Sequence, residues 1–130
     1  MKYEEITIFL NKLIEKTNEK KIIWDEDPFQ KGIYESEFNK GFVIINNYIS
    51  KSNGSDEYSI KITNDKGRTV FSYSDNTIDV ETTVLDIAEE KMFNALSELY
   101  KCVHKQYYNL EETIEGMLKE LDDEDIDLDI

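Results

Sequence analysis

Histidine and cysteine, the residue types that most often carry catalysis or bind metals, each occur once in this chain. Cys102 and His104 are two positions apart in a stretch of helical periodicity, so their side chains diverge by about 200° around the helix axis and form no local thiolate–imidazole pair. No G-x-S-x-G nucleophile motif accompanies them. A zinc ion on His104 would need three more ligands, mostly carboxylates, which is uncommon. We therefore predict a structural histidine, no catalytic residue and no bound metal.

A short acidic segment, Asp25, Glu26 and Asp27, follows the only tryptophan, Trp24, and precedes the only proline, Pro28. Paired carboxylates do acid–base chemistry when one of them is desolvated and its pKa is raised. Consecutive carboxylates beside a proline are more often solvated turn residues, which is our prediction here. Trp24 is predicted to anchor the core where the chain enters a sheet. The three acids are kept as candidate contacts for a partner.

Aromatic residues follow one stripe of the stretch that contains His104. The stripe consists of Phe93, Tyr100, His104 and Tyr107, with Tyr108 a little beyond it. Such rings are typical both of the rim of a small core and of a protein–protein interface. The sequence favours the rim, and the stripe also remains a candidate surface for a partner or for a second copy of the chain.

The C-terminal stretch carries an aspartate at every second position, namely Asp123, Asp125, Asp127 and Asp129. This spacing superficially resembles a calcium-binding EF-hand loop, which needs glycine at its sixth position. Counted from Asp123, that position holds Leu128, so calcium binding of this type is not expected. In an extended strand the carboxylates would stand about 6.6 Å apart, like a row of phosphates. A mimic of duplex nucleic acid, however, needs acids over a wider surface.

Aliphatic residues alternate with the last of these aspartates, at Ile126, Leu128 and Ile130. A period of two, with one acidic and one aliphatic face, is the pattern of an edge strand that covers apolar surface. We predict that residues 122–130 form an acidic tail that docks on this domain's own sheet or on a partner's sheet. A plain solvated tail is the alternative.

Three helices are predicted to position these residues. A first helix runs from about Lys2 to Asn18, with apolar residues at helical spacing. A second covers 85–108 and buries Leu85, Ala88, Met92, Leu96, Leu99 and Val103 along one narrow arc. Asn109 and Glu112 form a capping-box pattern that opens a third. The buried stripe of this third helix is predicted to be Leu110, Ile114, Met117, Leu118 and Leu121.

The middle of the chain predicts a β-meander. Four strands are expected, at 33–38, 42–49, 57–63 and 69–73, with a fifth left open. Tyr58, Ile60 and Ile62 alternate with Ser59, Lys61 and Thr63, which predicts one buried and one wet sheet face. Asn64 to Gly67 is predicted to be a tight turn. We expect a two-layer α+β domain at 1–121 in which both C-terminal helices pack on one face of an antiparallel sheet.

Charge is distributed unevenly along the chain. Ten acids and one lysine follow Asn109, a net charge of −9 out of a total of −14 for the whole sequence. A body without a basic face is not expected to bind nucleic acid directly or to adhere to anionic membranes. The single arginine, Arg68, and the lack of a glycine-rich phosphate loop argue against a phosphate-bearing cofactor. No apolar run is long enough to span a bilayer, so a cytoplasmic location is expected.

In size, acidity and composition the chain resembles small acidic inhibitor proteins, such as toxin-immunity proteins and phage anti-defence proteins. The lysine-rich, Ile- and Asn-rich composition is typical of an AT-rich bacterial or phage genome. We predict a non-enzymatic inhibitor that occupies a basic surface of a protein partner. The alternatives are an oligomeric small-ligand-binding protein with a pocket between sheet and helices, and an enzyme of an unrecognised class. A homodimer is compatible with the inhibitor and with the ligand-binding protein.

Overall fold

The computed structural model contains an antiparallel sheet with helices before and after it in the chain. It describes residues 3–49, 54, 56–74 and 87–122, with the backbone alone at 110 and 111. The elements in chain order are α1 (Tyr3–Asn18), β1 (Asp25–Glu26), β2 (Ile33–Phe38), β3 (Gly41–Ile49), β4 (Asp56–Asn64), β5 (Thr69–Ser74), α2 (Ile87–Tyr108) and α3 (Leu110–Asp122). The predicted α+β architecture, with a helix before an antiparallel meander and helices after it, is confirmed.

The sheet has five strands in chain order, each antiparallel to its neighbour. Four of them are the predicted strands. The fifth is β1, whose Asp25 and Glu26 pair with Glu35 and Tyr34 of β2. The prediction that Asp25 and Glu26 are turn residues was therefore wrong. An edge position tolerates these acids because one side of an edge strand is left to solvent.

Glycines fix two of the turns. Gly67 has a φ of 81° and its N–H donates to the Asn64 carbonyl oxygen at 3.0 Å, which confirms the predicted turn from Asn64 to Gly67. At the start of β3, Gly41 has a φ of 151°, and a Cβ atom there would lie 1.9 Å from the Thr63 carbonyl oxygen. Position 41 therefore admits only glycine, because any side chain would collide with the neighbouring strand.

One face of the sheet carries the core. Tyr34, Ile45, Ile60 and Tyr73 lie side by side across β2 to β5, and all four are buried. Helices α1 and α2 pack against each other and cover this face with a set of buried side chains: Ile6, Leu10, Leu13, Met92, Leu96, Leu99 and Val103. The predicted burial of the second helix is confirmed at Met92, Leu96, Leu99 and Val103, whereas Ala88 is only half-buried and Leu85 lies outside the described residues.

Trp24 closes the end of the core next to α1. Its side chain is buried, as predicted, and its indole N–H donates to the Thr17 hydroxyl oxygen at 3.0 Å. This bond satisfies two buried polar groups at once, so the tryptophan fixes the turn from α1 into the sheet.

Thr63 departs from the predicted alternation along β4. It was expected on the wet face of the sheet, but the structure buries it between Phe42 on β3 and Thr69 on β5. The register between β4 and β5 shifts at this point. Such a bulge interrupts the period of two on which the prediction rested.

The third helix begins where predicted but does not pack as predicted. The Asn109 side-chain oxygen accepts the Glu112 N–H at 3.1 Å, which confirms the N-terminal cap. Asn109 is also the only residue between α2 and α3, and its φ is 31°. The stripe formed by Ile114, Met117, Leu118 and Leu121 is exposed, so the prediction that it is buried was wrong at these positions. A one-residue connection does not bring α3 back onto the sheet.

None of the described helices is long and apolar enough to cross a membrane.

Candidate functional site

The acidic segment and the aromatic stripe, which are 66 or more positions apart in the sequence, meet at Glu26. Strand pairing sets Glu26 opposite Tyr34, on the face that α2 covers, and Asp25 opposite Glu35, on the other face. The Tyr108 hydroxyl, at the end of α2, lies 2.8 and 2.7 Å from the two carboxylate oxygens of Glu26 and donates to them. Glu26 therefore ties the edge of the sheet to the last turn of α2.

A backbone amide completes the surroundings of this carboxylate. The Gly32 N–H donates to Glu26 Oε2 at 2.9 Å. This bond, and then the bond from Tyr108, lower the pKa of the Glu26 carboxyl below its ordinary value. The same contact raises the pKa of the Tyr108 hydroxyl. Glu26 is therefore an ionised acceptor at neutral pH, and its pKa is shifted opposite to that of a general acid.

Loop 27–32 is held at both ends. At its start, Asp27 Oδ1 accepts the N–H groups of Phe29 at 2.7 Å and Gln30 at 3.1 Å, which is an Asx turn. At its end, the Tyr100 hydroxyl donates to the Gly32 carbonyl oxygen at 2.7 Å. Gly32 has a φ of 91°, a conformation that favours glycine. The loop therefore presents its side chains on a fixed backbone.

Phe29 is the residue that this loop exposes. Its side chain is 93% exposed, the largest exposed fraction among the described large apolar side chains. A fully solvated phenyl ring gains nothing from burial within its own chain, so Phe29 is available as an aromatic contact for a partner. Phe29 was not among the predicted contacts. The signal was the Asp27-Pro28 turn start, which predicts an exposed loop but not which side chain projects from it.

The predicted aromatic stripe divides into a buried half and an exposed half. Tyr100 is buried, and Phe93 packs against the core beside Tyr58. These two were candidate contacts for a partner, but their rings are occupied within the domain because α2 turns them towards the sheet. His104, Tyr107 and Tyr108 are exposed.

Ring contacts connect the two halves. His104 stacks on Tyr100, with ring centres 6.0 Å apart and planes 14° apart, and its other side meets Tyr108 at 5.0 Å. Tyr34 lies beneath this layer, with its hydroxyl 2.6 Å from His104 Nδ1 and its ring 5.4 Å from that of Tyr107. Tyr34 was not among the predicted site residues, because a contact with a residue 70 positions away leaves no local signal in the sequence.

Burial keeps the inner tyrosines protonated. It raises the pKa of Tyr34 above its ordinary range and that of Tyr100 to about 12, the latter with help from the Glu26 charge. Both hydroxyls therefore stay protonated beyond the pH at which an exposed tyrosine ionises. They give the exposed residues above them a rigid base.

We call this region, whose residues are exposed or half-buried, the aromatic–acidic surface: Glu26, loop 27–32, His104, Tyr107 and Tyr108. Next to it, on the other face of the sheet, a groove of about 250 Å³ is lined by Asp25, Glu26, Asp27, Pro28, Ile33, Glu35, Glu37 and Ile44. Carboxylates dominate its lining, to which no lysine or arginine of the described residues contributes. Apolar rings and negative charge thus lie side by side.

The remaining sequence candidates have other positions. Cys102 is half-buried between the two long helices, where its thiol donates to Asn18 Oδ1 at 2.8 Å and burial raises its pKa. Within the described ranges, no three His, Cys, Asp or Glu side chains are placed to hold a metal ion. The tail contacts Asp123, Asp125, Ile126, Asp127, Leu128, Asp129 and Ile130 lie outside the described residues.

Comparison of the chain with protein-family models, curated proteins and solved structures finds no match.

Proposed function

We propose that this chain is a non-enzymatic binding protein of the inhibitor type, which occupies a basic and partly apolar surface of a protein partner. The observation that carries the proposal is loop 27–32, which is tied at both ends, exposes Phe29 and follows Glu26, the residue that binds Tyr108. A pre-organised aromatic anchor loses little conformational entropy on binding, and large aromatic side chains dominate the energetics of interfaces.

Negative charge supplies the preference for a basic partner. The aromatic–acidic surface and the adjacent groove hold Asp25, Glu26, Asp27, Glu35 and Glu37 against Lys31 of loop 27–32, and the whole chain has a net charge of −14. Such a field raises the rate of association with a basic surface. The aromatic rings that the partner covers determine the rate of dissociation. The same charge disfavours binding to nucleic acids and anionic membranes.

The alternative of a ligand pocket between sheet and helices gains no support from the packing. The space between the layers is filled by side chains with at most 1% exposure, including Ile45, Ile60, Leu96 and Leu99. The described grooves lie elsewhere: one between α1 and α2, one beside Trp24 and the start of α3, and the acidic groove described above.

Phe29→Ser tests the proposal. Full-length protein is immobilised, the lysate of its native cell is passed over it at low salt, and the retained proteins are quantified by mass spectrometry. We expect one dominant basic partner, and a loss of at least tenfold in its retention on Phe29→Ser, because removing an aromatic anchor costs about 2 kcal/mol or more.

Val70→Ser is the matched control. Val70 is also an exposed apolar residue, 53% accessible, but it lies on β5, at the opposite edge of the sheet from β1. It should retain the partner as the unsubstituted chain does. The proposal fails if no protein is retained at low salt, or if the two substitutions have the same effect.

A further inference from the structure

Helix α3 has an apolar face that nothing in the described structure covers. Ile114, Met117, Leu118 and Leu121 are between 45% and 79% exposed. They lie at i, i+3, i+4 and i+7, so they share one face of the helix. A soluble domain rarely leaves such a continuous stripe in water unless the stripe is a contact surface.

Helix α3 is stabilised by its N-terminal cap and not by packing of its side chains on the domain. Asn109 caps its first turn, and every described side chain from Glu112 to Asp122 is exposed. An isolated helix of 13 residues is marginal in water. Docking its apolar face would supply the packing that the domain itself does not provide.

The charge of α3 indicates which kind of partner can cover its apolar face. The helix carries five acids, Glu111, Glu112, Glu115, Glu120 and Asp122, against the single Lys119. If the stripe paired with that of a second copy, two such acidic helices would lie side by side and repel each other. Groups that complement α3 are lysine and arginine flanking an apolar seam.

We propose that α3 docks by this apolar face in an apolar seam that is rimmed with lysine or arginine on a partner protein. The geometry is that of an amphipathic helix in a groove, about 20 Å long, with anchors at i, i+3, i+4 and i+7. This apolar face shares no residue with the aromatic–acidic surface. It therefore goes beyond the proposed function by assigning a second contact.

The test uses the full-length protein and two defined probes. One is a fluorescent three-heptad helical peptide with leucine and isoleucine at the core positions and lysine at the flanking positions. The other is identical except for glutamate at the flanking positions. We expect saturable binding of the lysine peptide, at least tenfold weaker binding of the glutamate peptide, and weakening of the first with rising salt.

Substitutions on opposite faces of α3 locate the contact. Ile114→Gln with Leu118→Gln should weaken binding of the lysine peptide at least tenfold. Thr113→Gln with Lys119→Gln, on the polar side, should not weaken it. Glutamine is a good helix former, so both pairs keep the helix, which circular dichroism verifies.

Three results would overturn the proposal: binding of neither peptide, equal binding of both, or equal loss in the two double variants. A dimer seen by analytical ultracentrifugation that dissociates on Ile114→Gln with Leu118→Gln would also overturn it, in favour of a second copy. Phe29→Ser should leave peptide binding unchanged. Failure of the aromatic–acidic surface and failure of α3 are therefore distinguishable.

Discussion

At the scale of single residues, Glu26 is the connection on which the candidate site depends. Its carboxylate accepts the Tyr108 hydroxyl and the Gly32 N–H, so one side chain joins the sheet edge, loop 27–32 and the end of α2. The bonds favour the ionised carboxylate and the neutral phenol. The bond between the two side chains is therefore fully formed only at pH values above the pKa of Glu26 and below the pKa of Tyr108.

The pH dependence of this contact follows from the two pKa shifts. The folded-state pKa of Glu26 is lowered below 4.5, so its contribution to stability is present above pH 4.5 and is lost as the pH falls through the lowered value. The folded-state pKa of Tyr108 is raised above 10.0, so its contribution is present below pH 10.0 and is lost as the pH rises through the raised value.

Tyr108→Phe tests this contact directly. We expect the pKa of Glu26 to move up towards its ordinary value but to stay below it, because the stronger cause, the Gly32 N–H, remains. The carboxyl carbon of Glu26 can be followed by NMR as the pH is lowered. Tyr107→Phe, which removes a neighbouring hydroxyl but leaves the Glu26 bonds in place, should not move the pKa. An unchanged pKa in Tyr108→Phe would show that the hydroxyl does not hold the carboxylate.

At the scale of elements, α2 and α3 show that the same amphipathic pattern leads to different outcomes. The apolar arc of α2 is buried against α1 and the sheet, whereas the stripe of α3 meets solvent. Periodicity determines which residues share a face of a helix. What that face contacts depends on the direction in which the preceding connection sends the helix.

Matched leucine substitutions distinguish the two helices. Leu96→Ala should lower the free energy of unfolding by about 2–5 kcal/mol, because Leu96 is fully buried and its loss leaves a cavity. Leu118→Ala, at a half-exposed position on α3, should change it by less than about 0.5 kcal/mol in the absence of a partner. Urea denaturation measures both. A loss above 2 kcal/mol for Leu118→Ala would mean that α3 packs on the domain.

At the scale of the whole molecule, the residues that carry most of the excess charge differ from the residues that carry the aromatic contacts. The chain from Asn109 onward holds ten of its 29 acids, whereas the body up to Tyr108 has the aromatic anchors. Long-range fields act mainly on the association rate, and buried contacts act mainly on the dissociation rate.

Truncation after Leu121 should therefore affect one rate and not the other. It removes six acids and no base. We expect association with the captured partner to slow by about tenfold at low salt and, where the tail docks on this domain's own sheet or is solvated, dissociation to stay the same. Surface plasmon resonance measures both rates, and the difference should vanish at high salt. Faster dissociation of a correctly folded truncated protein would show instead that residues 122–130 contact the partner.

The sequence predicted most of the architecture because the relevant signals are local. Helix periodicity, the Asn109–Glu112 cap, the Asn64–Gly67 turn and the position of Trp24 each depend on neighbouring residues, and all four are confirmed. The errors at Asp25–Glu26, at Thr63 and in α3 have one cause. In each case a neighbouring strand, a register shift or the direction of a helix decides burial or pairing, and the residue's own local pattern does not encode it.

The candidate site shows the same division. By itself, the sequence determined that acids and aromatic residues are available, and that no recognisable nucleophile or phosphate loop accompanies them. Only the tertiary structure decided that Glu26 meets Tyr108, that Tyr34 supports His104, and that Tyr100 is buried while Phe29 is exposed. These contacts join residues about 70 or more positions apart or depend on which side of a packed layer a residue faces, so they arise from the folding of the whole chain rather than from any local pattern.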